Sequence, residues 1–338
     1  MSVSMKRKMI MTLSAEARHT LEAAGYGADL NKGTLYRAAD PESWFRKNPQ
    51  EILRSIRFAV QYGLEMEYPL ERALLTQAPG LKNLDQARVF EELCSLLPLM
   101  NAEQLIWFAP VLAVAIPELK PMIGFDQRSP HHAYDLYTHT AHVTAAVPGD
   151  LALRWAALLH DIGKVPTFTV DETGRGHFAD HAAKGAEMAD AILRRLKSSD
   201  ALRQQVVLLI DQHMLWLEPE KKQLRRQIGR LGLETVYQIL SLQLADNSNK
   251  GTAKSGENEK YLRILEVLKE IQAEGGCFGL KDLAVNDKDL MQIGFSGQAV
   301  STIRNWLLDQ VLEGTLPNER TVLLAWAKGV LVAAWHSS

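Results

Sequence analysis

Apolar residues three and four positions apart recur along most of this chain. A chain patterned that way can bury them only by packing helices against helices. In EILRSIRFAVQYGLEME, residues 51–67, they fall at 52, 53, 56, 59, 60 and 64. LALRWAALLHDI, AEMADAILRRLK, QQVVLLIDQHMLWL, TVYQILSLQLAD and NEKYLRILEVLKEIQAE repeat the pattern. Period-two alternation is nearly absent. The exception is TFTVDETGRGHF, residues 167–178, where a Gly-containing turn separates two short β-prone runs. The expected fold is all-α and multi-helical.

Breaks in the pattern divide the chain. AADPESWFRKNP (38–49) holds two prolines, GFDQRSPHH (124–132) follows a second helical region, and NSNKGTAKSGEN (247–258) is polar and reads as a loop. These breaks suggest an N-terminal extension over 1–40, helical regions over 41–120 and 121–250, and a final helical unit over 258–335. A length of 338 residues accommodates that division. The net charge of −2 excludes a global basic field that would gather nucleic acid unaided. Cys94 and Cys277 are the only cysteines and are far apart, which fits buried thiols in a reducing compartment. The N-terminus has a basic cluster but no apolar core of secretory length. The most apolar stretch, WFAPVLAVAIPEL (107–119), is cut by Pro110 and Pro117, short of the roughly 18 unbroken apolar residues a membrane span needs. We therefore expect no membrane association and a cytoplasmic location.

The chemistry-bearing residues are spaced one per helix. His139, His160, His181, His213 and Asp246 are separated by 21, 21, 32 and 33 residues, and Asp161 adjoins His160. Each gap is about one helix and a connection, so each helix can aim one ligand at a shared centre. A lone buried histidine is most often a satisfied core residue, but six such residues at this spacing argue for a metal. Imidazoles and carboxylates without thiolates suit Mn, Fe, Ni, Zn or Mg rather than a structural zinc. His160 and Asp161 end an apolar helix before Gly163, read here as its C-cap, with Pro166 beyond. The macrodipole favours a cation at that end. Lys164 is placed to meet a phosphate oxygen, and water acidified by a metal would be the nucleophile. His142 can share the His139 face, His177 falls in the Gly-containing turn, His131 and His132 are candidates for facing a substrate, and His19 and His336 read as surface residues.

The pattern H…HD…H…H…D resembles the HD superfamily of metal-dependent phosphohydrolases. More narrowly, HHAYDLYTHT, LRWAALLHDIGKVPTFTVDETGRGHFADHAAKGAEMADAILRRLK and LLIDQHM are similar to the HD domain of bacterial CCA-adding enzymes, the poly(A) polymerase-like tRNA nucleotidyltransferases. CFGLKDLAVNDKDLMQIGFSGQAVSTIRNWLLDQVLEGTLPN resembles that family's body and tail, and EILRSIRFAVQYGLEME its neck. The resemblance runs from about residue 33 to 330. It implies an HD-domain helical bundle (121–250) flanked by a helical neck (41–120) and a helical body and tail (258–335). It also implies that His139, His160, Asp161 and Asp246 hold one divalent ion (Mg2+, Mn2+, Ni2+ or Co2+). His181 and His213 would complete a second metal site or orient phosphate, and Lys164 would neutralise phosphoryl charge. The implied substrates are phosphoesters at nucleotide or RNA ends, such as 2′,3′-cyclic phosphates or 2′-phosphates.

Two departures limit the resemblance. The family opens with a catalytic head whose Asp-x-Asp carboxylates hold the metals for nucleotidyl transfer. Before residue 41 the only aspartates are Asp29 and Asp40, and the only Asp-x-Asp, Asp287–Asp289, reads as a capped helix start. The family's base-reading Asp and Arg ahead of the neck helix align with Asn48 and Glu51, and a glutamate cannot make an arginine's paired donations. Nucleotidyl transfer is therefore expected to be absent. Arg194, Arg195, Lys197, Lys221, Lys222, Arg225, Arg226 and Arg230 form basic runs that read as solvated faces or as RNA contacts. The alternative to a phosphohydrolase is a tRNA-binding subunit or remnant of a CCA-adding enzyme acting in tRNA 3′-end processing.

Overall fold

Helices form where the apolar stripes lie, and several begin at a side-chain cap. The computed structural model describes residues 13–37, 39–129, 133–250 and 257–335. His131, His132, His336 and the basic N-terminal cluster lie outside these. The chain forms two compact units, one of residues 1–213 with 248–253, the other of 214–247 with 254–338. The stretch read from sequence as one region, 121–250, is divided between them at Met214.

The first unit opens with α1 (Ala15–Ala23), where Ser14 Oγ accepts from Ala17 N–H at 3.1 Å. Strands β1 (Gly27–Asp29) and β2 (Thr34–Tyr36) pair antiparallel, and β3 (Glu65–Met66) adds parallel to β2. This small sheet was not anticipated from the alternation pattern. Between these strands run α2 (Pro41–Lys47) and α3 (Glu51–Tyr62). Asp40 caps α2, with Pro41 in the first helical position. Gly63, at φ 64°, closes α3 in the left-handed conformation that favours glycine. Then follow α4 (Tyr68–Gln77), α5 (Gln86–Leu96), α6 (Ala102–Trp107) and α7 (Ala109–Ala115). Pro110 and Pro117 break the most apolar stretch as expected: α6 and α7 are six and seven residues long, and a 3₁₀ segment runs over Pro117–Met122. No helix of the described residues is long and apolar enough to cross a membrane.

The unit continues with α8 (Leu136–Ala146), α9 (Leu151–Leu159), the hairpin β4 (Phe168–Val170) and β5 (Gly176–Phe178), α10 (His181–Arg195) and α11 (Asp200–Gln212). The hairpin is the one read from TFTVDETGRGHF, with Phe168 opposite Phe178. Helix α9 packs against both α8 and α11, and α10 packs against α11. The stretch from Ala152 to Leu159 is buried without interruption, so α9 lies inside the bundle rather than on its surface.

The second unit holds α12 (Lys221–Leu231), α13 (Leu233–Ser248), α14 (Glu257–Glu274), α15 (Asp287–Gln292), α16 (Gln298–Leu312) and α17 (Arg320–Trp335). Val285, Leu290, Ile303, Leu307, Leu323 and Ala327 form the core beneath the last three. The Asp-x-Asp pair does structural work. Asn286 and Asp289 make a reciprocal capping box at the start of α15, Asp287 pairs with Arg304 at 2.9 Å, and Asp289 with Arg320 at 2.7 Å.

Candidate metal centre

Asp135 caps α8, accepting from Tyr137 and Thr138 N–H at 3.1 and 3.2 Å. That fixes the register that buries His139 completely. Asp150 caps α9 in the same way, accepting from Leu153 N–H at 2.8 Å. The helix delivers His160 and Asp161 at its C-terminal end, both buried, and a 3₁₀ turn over Ile162–Lys164 follows. Gly163 does not have the left-handed φ of a C-cap glycine, contrary to the reading from its spacing. Its role is close approach. A Cβ there would lie 2.2 Å from the His181 carbonyl oxygen and 2.6 Å from Gly185 N. The absence of a side chain lets the turn lie directly on the backbone of α10. His181 opens α10 after Asp180, a non-glycine residue at φ 58°. His213 ends α11.

Asp161 is the hub of the cluster. Its Oδ2 lies 3.3 Å from His160 Nε2, 3.8 Å from His139 Nε2 and 2.7 Å from Lys164 Nζ, and its Oδ1 lies 3.7 Å from His181 Nε2. Burial alone would raise this carboxyl, but the surrounding His160, Lys164 and His139 hold it well below the usual carboxylate range. The carboxylate is therefore charged.

Every imidazole is oriented by a main-chain carbonyl. Nδ1 meets Asn249 O at 3.1 Å in His139, Ala157 O at 2.8 Å in His160, Phe178 O at 2.9 Å in His181 and Ile210 O at 2.6 Å in His213. A carbonyl cannot donate, so each Nδ1 carries a proton and Nε2 is the ring nitrogen left to face the cluster. This is how metal-ligating histidines are held. The Nε2 atoms of His181 and His213 are 3.2 Å apart, a separation two lone pairs tolerate only around a shared proton or cation. Ligand atoms of Asp161, His181 and His213 all lie within 4.8 Å of one another. Burial pushes His213 down to about 4, with His160 adding to the effect, so the ring is neutral at pH 7. This donor set fits a divalent cation.

Asp246 lies near the C-terminal end of α13, partly buried, in the second unit. His142 stacks on Tyr134, ring centroids 5.0 Å apart. His177 Nε2 is 2.6 Å from Asp171 within the hairpin, which holds that carboxyl well below its ordinary value. The basic residues are ion-paired. Arg194 meets Asp190 at 2.7 Å and Arg195 meets Glu118 at 2.6 Å. Lys221 and Arg225 meet Glu274 at 2.5 and 2.7 Å, and Lys222 and Arg226 meet Glu313 at 2.9 and 2.6 Å. Asn48 Nδ2 donates to Trp44 O at 3.1 Å, and Glu51 accepts from Arg54 at 3.2 Å. One buried contact had no signal in the sequence: Lys164 Nζ donates to Gln127 Oε1 at 3.1 Å.

An HD domain is matched over residues 136–251. The chain carries an HD domain and is homologous to CCA-adding enzymes. It is 31% identical over 272 residues to the A-adding tRNA nucleotidyltransferase of Deinococcus radiodurans, covering 76% of this chain and 62% of that one. It is 30% identical over 295 residues to the CC-adding tRNA nucleotidyltransferase of Thermus thermophilus, covering 82% of this chain and 66% of that one. It thus spans just under two thirds of the length of these relatives. Among solved structures, the Bacillus stearothermophilus CCA-adding enzyme in complex with CTP superposes with a TM-score of 0.60 at 18% identity, over 91% of this chain and 68% of that one. That likeness speaks to the fold. The clustered histidines and Asp161 all fall within the HD domain.

Proposed function

We propose that this chain is a metal-dependent phosphohydrolase acting on phosphomonoesters or phosphodiesters at nucleotide or RNA ends, and that it does not itself transfer nucleotides. The observation that carries the reading is the ring of four imidazoles, each tied through Nδ1 and presenting Nε2 to a buried, charged Asp161. In this proposal His139, His160, Asp161 and Asp246 hold one divalent ion, with Asp246 assigned from its sequence position. His181 and His213 complete a second site or orient the phosphate. A bound divalent ion would supply Lewis-acid polarisation of a phosphoryl oxygen and lower the pKa of water. Asp161 gives the site its negative charge, and the four rings offer Nε2 at angles fixed by their Nδ1 contacts. Lys164 offers a positive charge beside the phosphoryl group as its charge rises. The Phe178 ring, its centroid 5.3 Å from Lys164 Nζ, borders this cation.

The reading without nucleotidyl transfer is supported by the tasks of the residues that might have served it. Asp287 and Asp289 are engaged in capping and ion pairs. Glu51 stands in an ion pair with Arg54 where a base-reading arginine would be needed.

The test is to load the full chain with Mg2+, Mn2+, Ni2+ or Co2+ and offer 2′,3′-cyclic and 2′-nucleotides beside CTP and ATP with tRNA. We expect metal-dependent phosphate release, abolished in His160→Ala and Asp161→Ala, and reduced on the order of 100-fold in Lys164→Ala. Hydrolysis that survives both ligand substitutions would refute the assignment. Incorporation of CMP or AMP would refute the absence of transfer.

The names of the tRNA nucleotidyltransferase relatives favour a second reading, in which the chain binds tRNA in 3′-end processing. Exposed ion pairs are worth little, so phosphates can displace the carboxylates from Lys221, Lys222, Arg225 and Arg226. Binding of tRNA that weakens steeply between two salt concentrations, and further in Lys222→Ala/Arg226→Ala, would support it.

A further inference from the structure

The position of Gln127 is held from several sides. Asp126 Oδ1 accepts from Arg128 N–H at 2.8 Å, and Arg128 takes φ 45°, a left-handed conformation uncommon for a side chain of that size. The Arg128 carbonyl accepts from Gly176 N–H at 3.0 Å. A Cβ at Gly176 would lie 2.3 Å from the Gln127 carbonyl oxygen, so β5 presses directly on this backbone. The side chain that results is 2% exposed.

Its two amide ends differ. Oε1 accepts from Lys164 Nζ at 3.1 Å, and Lys164 in turn pairs with Asp161 at 2.7 Å and lies 5.3 Å from the Phe178 ring centroid. Nε2 is buried and has no hydrogen-bond partner among the described residues. A buried amide donor without an acceptor costs free energy, and native chains seldom keep one without a use for it. Two directions of the Lys164 ammonium are taken by Asp161 and Gln127, which leaves a third proton. An acceptor arriving beside a lysine and beneath an amide N–H is best met by an anionic oxygen.

We propose that Gln127 is a second anion donor of this centre: its carbonyl fixes the Lys164 ammonium and its amide N–H donates to a phosphoryl oxygen that Lys164 also holds. This rests on the phosphohydrolase reading of the site. An amide suits both tasks. A glutamate would keep the acceptor for Lys164 but lose the donor and repel the anion.

The test uses inorganic phosphate titrated into the full, Mn2+-loaded chain, with bound Mn2+ counted in every variant. Gln127→Ala should weaken phosphate binding about 10-fold at unchanged metal stoichiometry, and Gln127→Glu should weaken it more. Because a residue acting only through its neighbour adds nothing once that neighbour is gone, Gln127→Ala should still weaken binding in a Lys164→Ala background. Should the alanine variant lose its metal, Gln127→Glu, of nearly the same size, carries the measurement. The proposal fails if the parent does not bind phosphate, if Gln127→Ala or its glutamate substitute binds like the parent, or if the double variant equals Lys164→Ala. Hydrolysis by the same samples is read separately. Gln127-dependent phosphate binding without hydrolysis would overturn the functional reading and leave this inference standing. Hydrolysis indifferent to Gln127, with phosphate binding unchanged, would do the reverse.

Discussion

His213 sits where a positive charge is disfavoured. Burial and the neighbouring His160 push its imidazole down to about 4 from an ordinary 6.5, against the pull of Asp161. An unfolded chain takes up this proton as the pH falls through 6.5, while the folded one resists until about 4. The unfolded state therefore binds more protons across that window, and the metal-free protein should lose about 3 kcal/mol between pH 7 and pH 4 from this residue. Urea midpoints in the presence of a chelator check this. His213→Asn should show a smaller loss over the same range, and an unchanged pH dependence in that variant would contradict the assignment. At this scale the clustering of His139, His160, Asp161, His181 and His213 was legible because His and Asp recur at about one per helix. Gln127 was not. Its place comes from a lysine 37 positions away, and nothing in GFDQRSPHH marks a glutamine whose carbonyl meets that lysine.

Among elements, the meeting of the 3₁₀ turn after α9 with α10 matters most. Gly163 and Gly185 bring two stretches of main chain into contact, and the atoms a Cβ would strike at position 163 are backbone, which cannot rotate away. Gly163→Ala should cost about 3 kcal/mol and weaken metal binding, because Asp161 and His181 face each other across this contact. Chemical unfolding measures the first effect and a metal titration the second. A variant within about 0.5 kcal/mol of the parent would show that the turn can shift. Sequence spacing placed this glycine at a helix end, correctly, but for another reason: a helix cap and a crossing point look identical in one dimension. Long amphipathic helices such as α3 and α9 were legible from their stripes, and the β4–β5 hairpin from its turn. The β1–β2–β3 sheet was not, since a parallel pair of two residues (Thr34 with Glu65, Leu35 with Met66) depends on partners some 31 positions apart rather than on local pattern.

For the whole molecule, the proposed first-unit ligands come from separate helices, His139 from α8, His160 and Asp161 from α9, His181 from the start of α10 and His213 from the end of α11, so bound metal should act as a fastener. With metal at about 100 times its Kd, folding should gain about 2.7 kcal/mol by mass action. Thermal unfolding with and without chelator reads this. The gain should vanish in Asp161→Ala, and a gain that persists there would place the ion elsewhere. Three of the four rings draw their fixing carbonyl from three residues earlier in the chain: Ala157 for His160, Phe178 for His181 and Ile210 for His213. Their aim is thus decided within a single turn of chain. The centre is assembled from parts whose aim is set locally, at the ends of α9 and α11 and at the entry to α10, so a shift of one of these helices should carry its imidazole along without turning the ring.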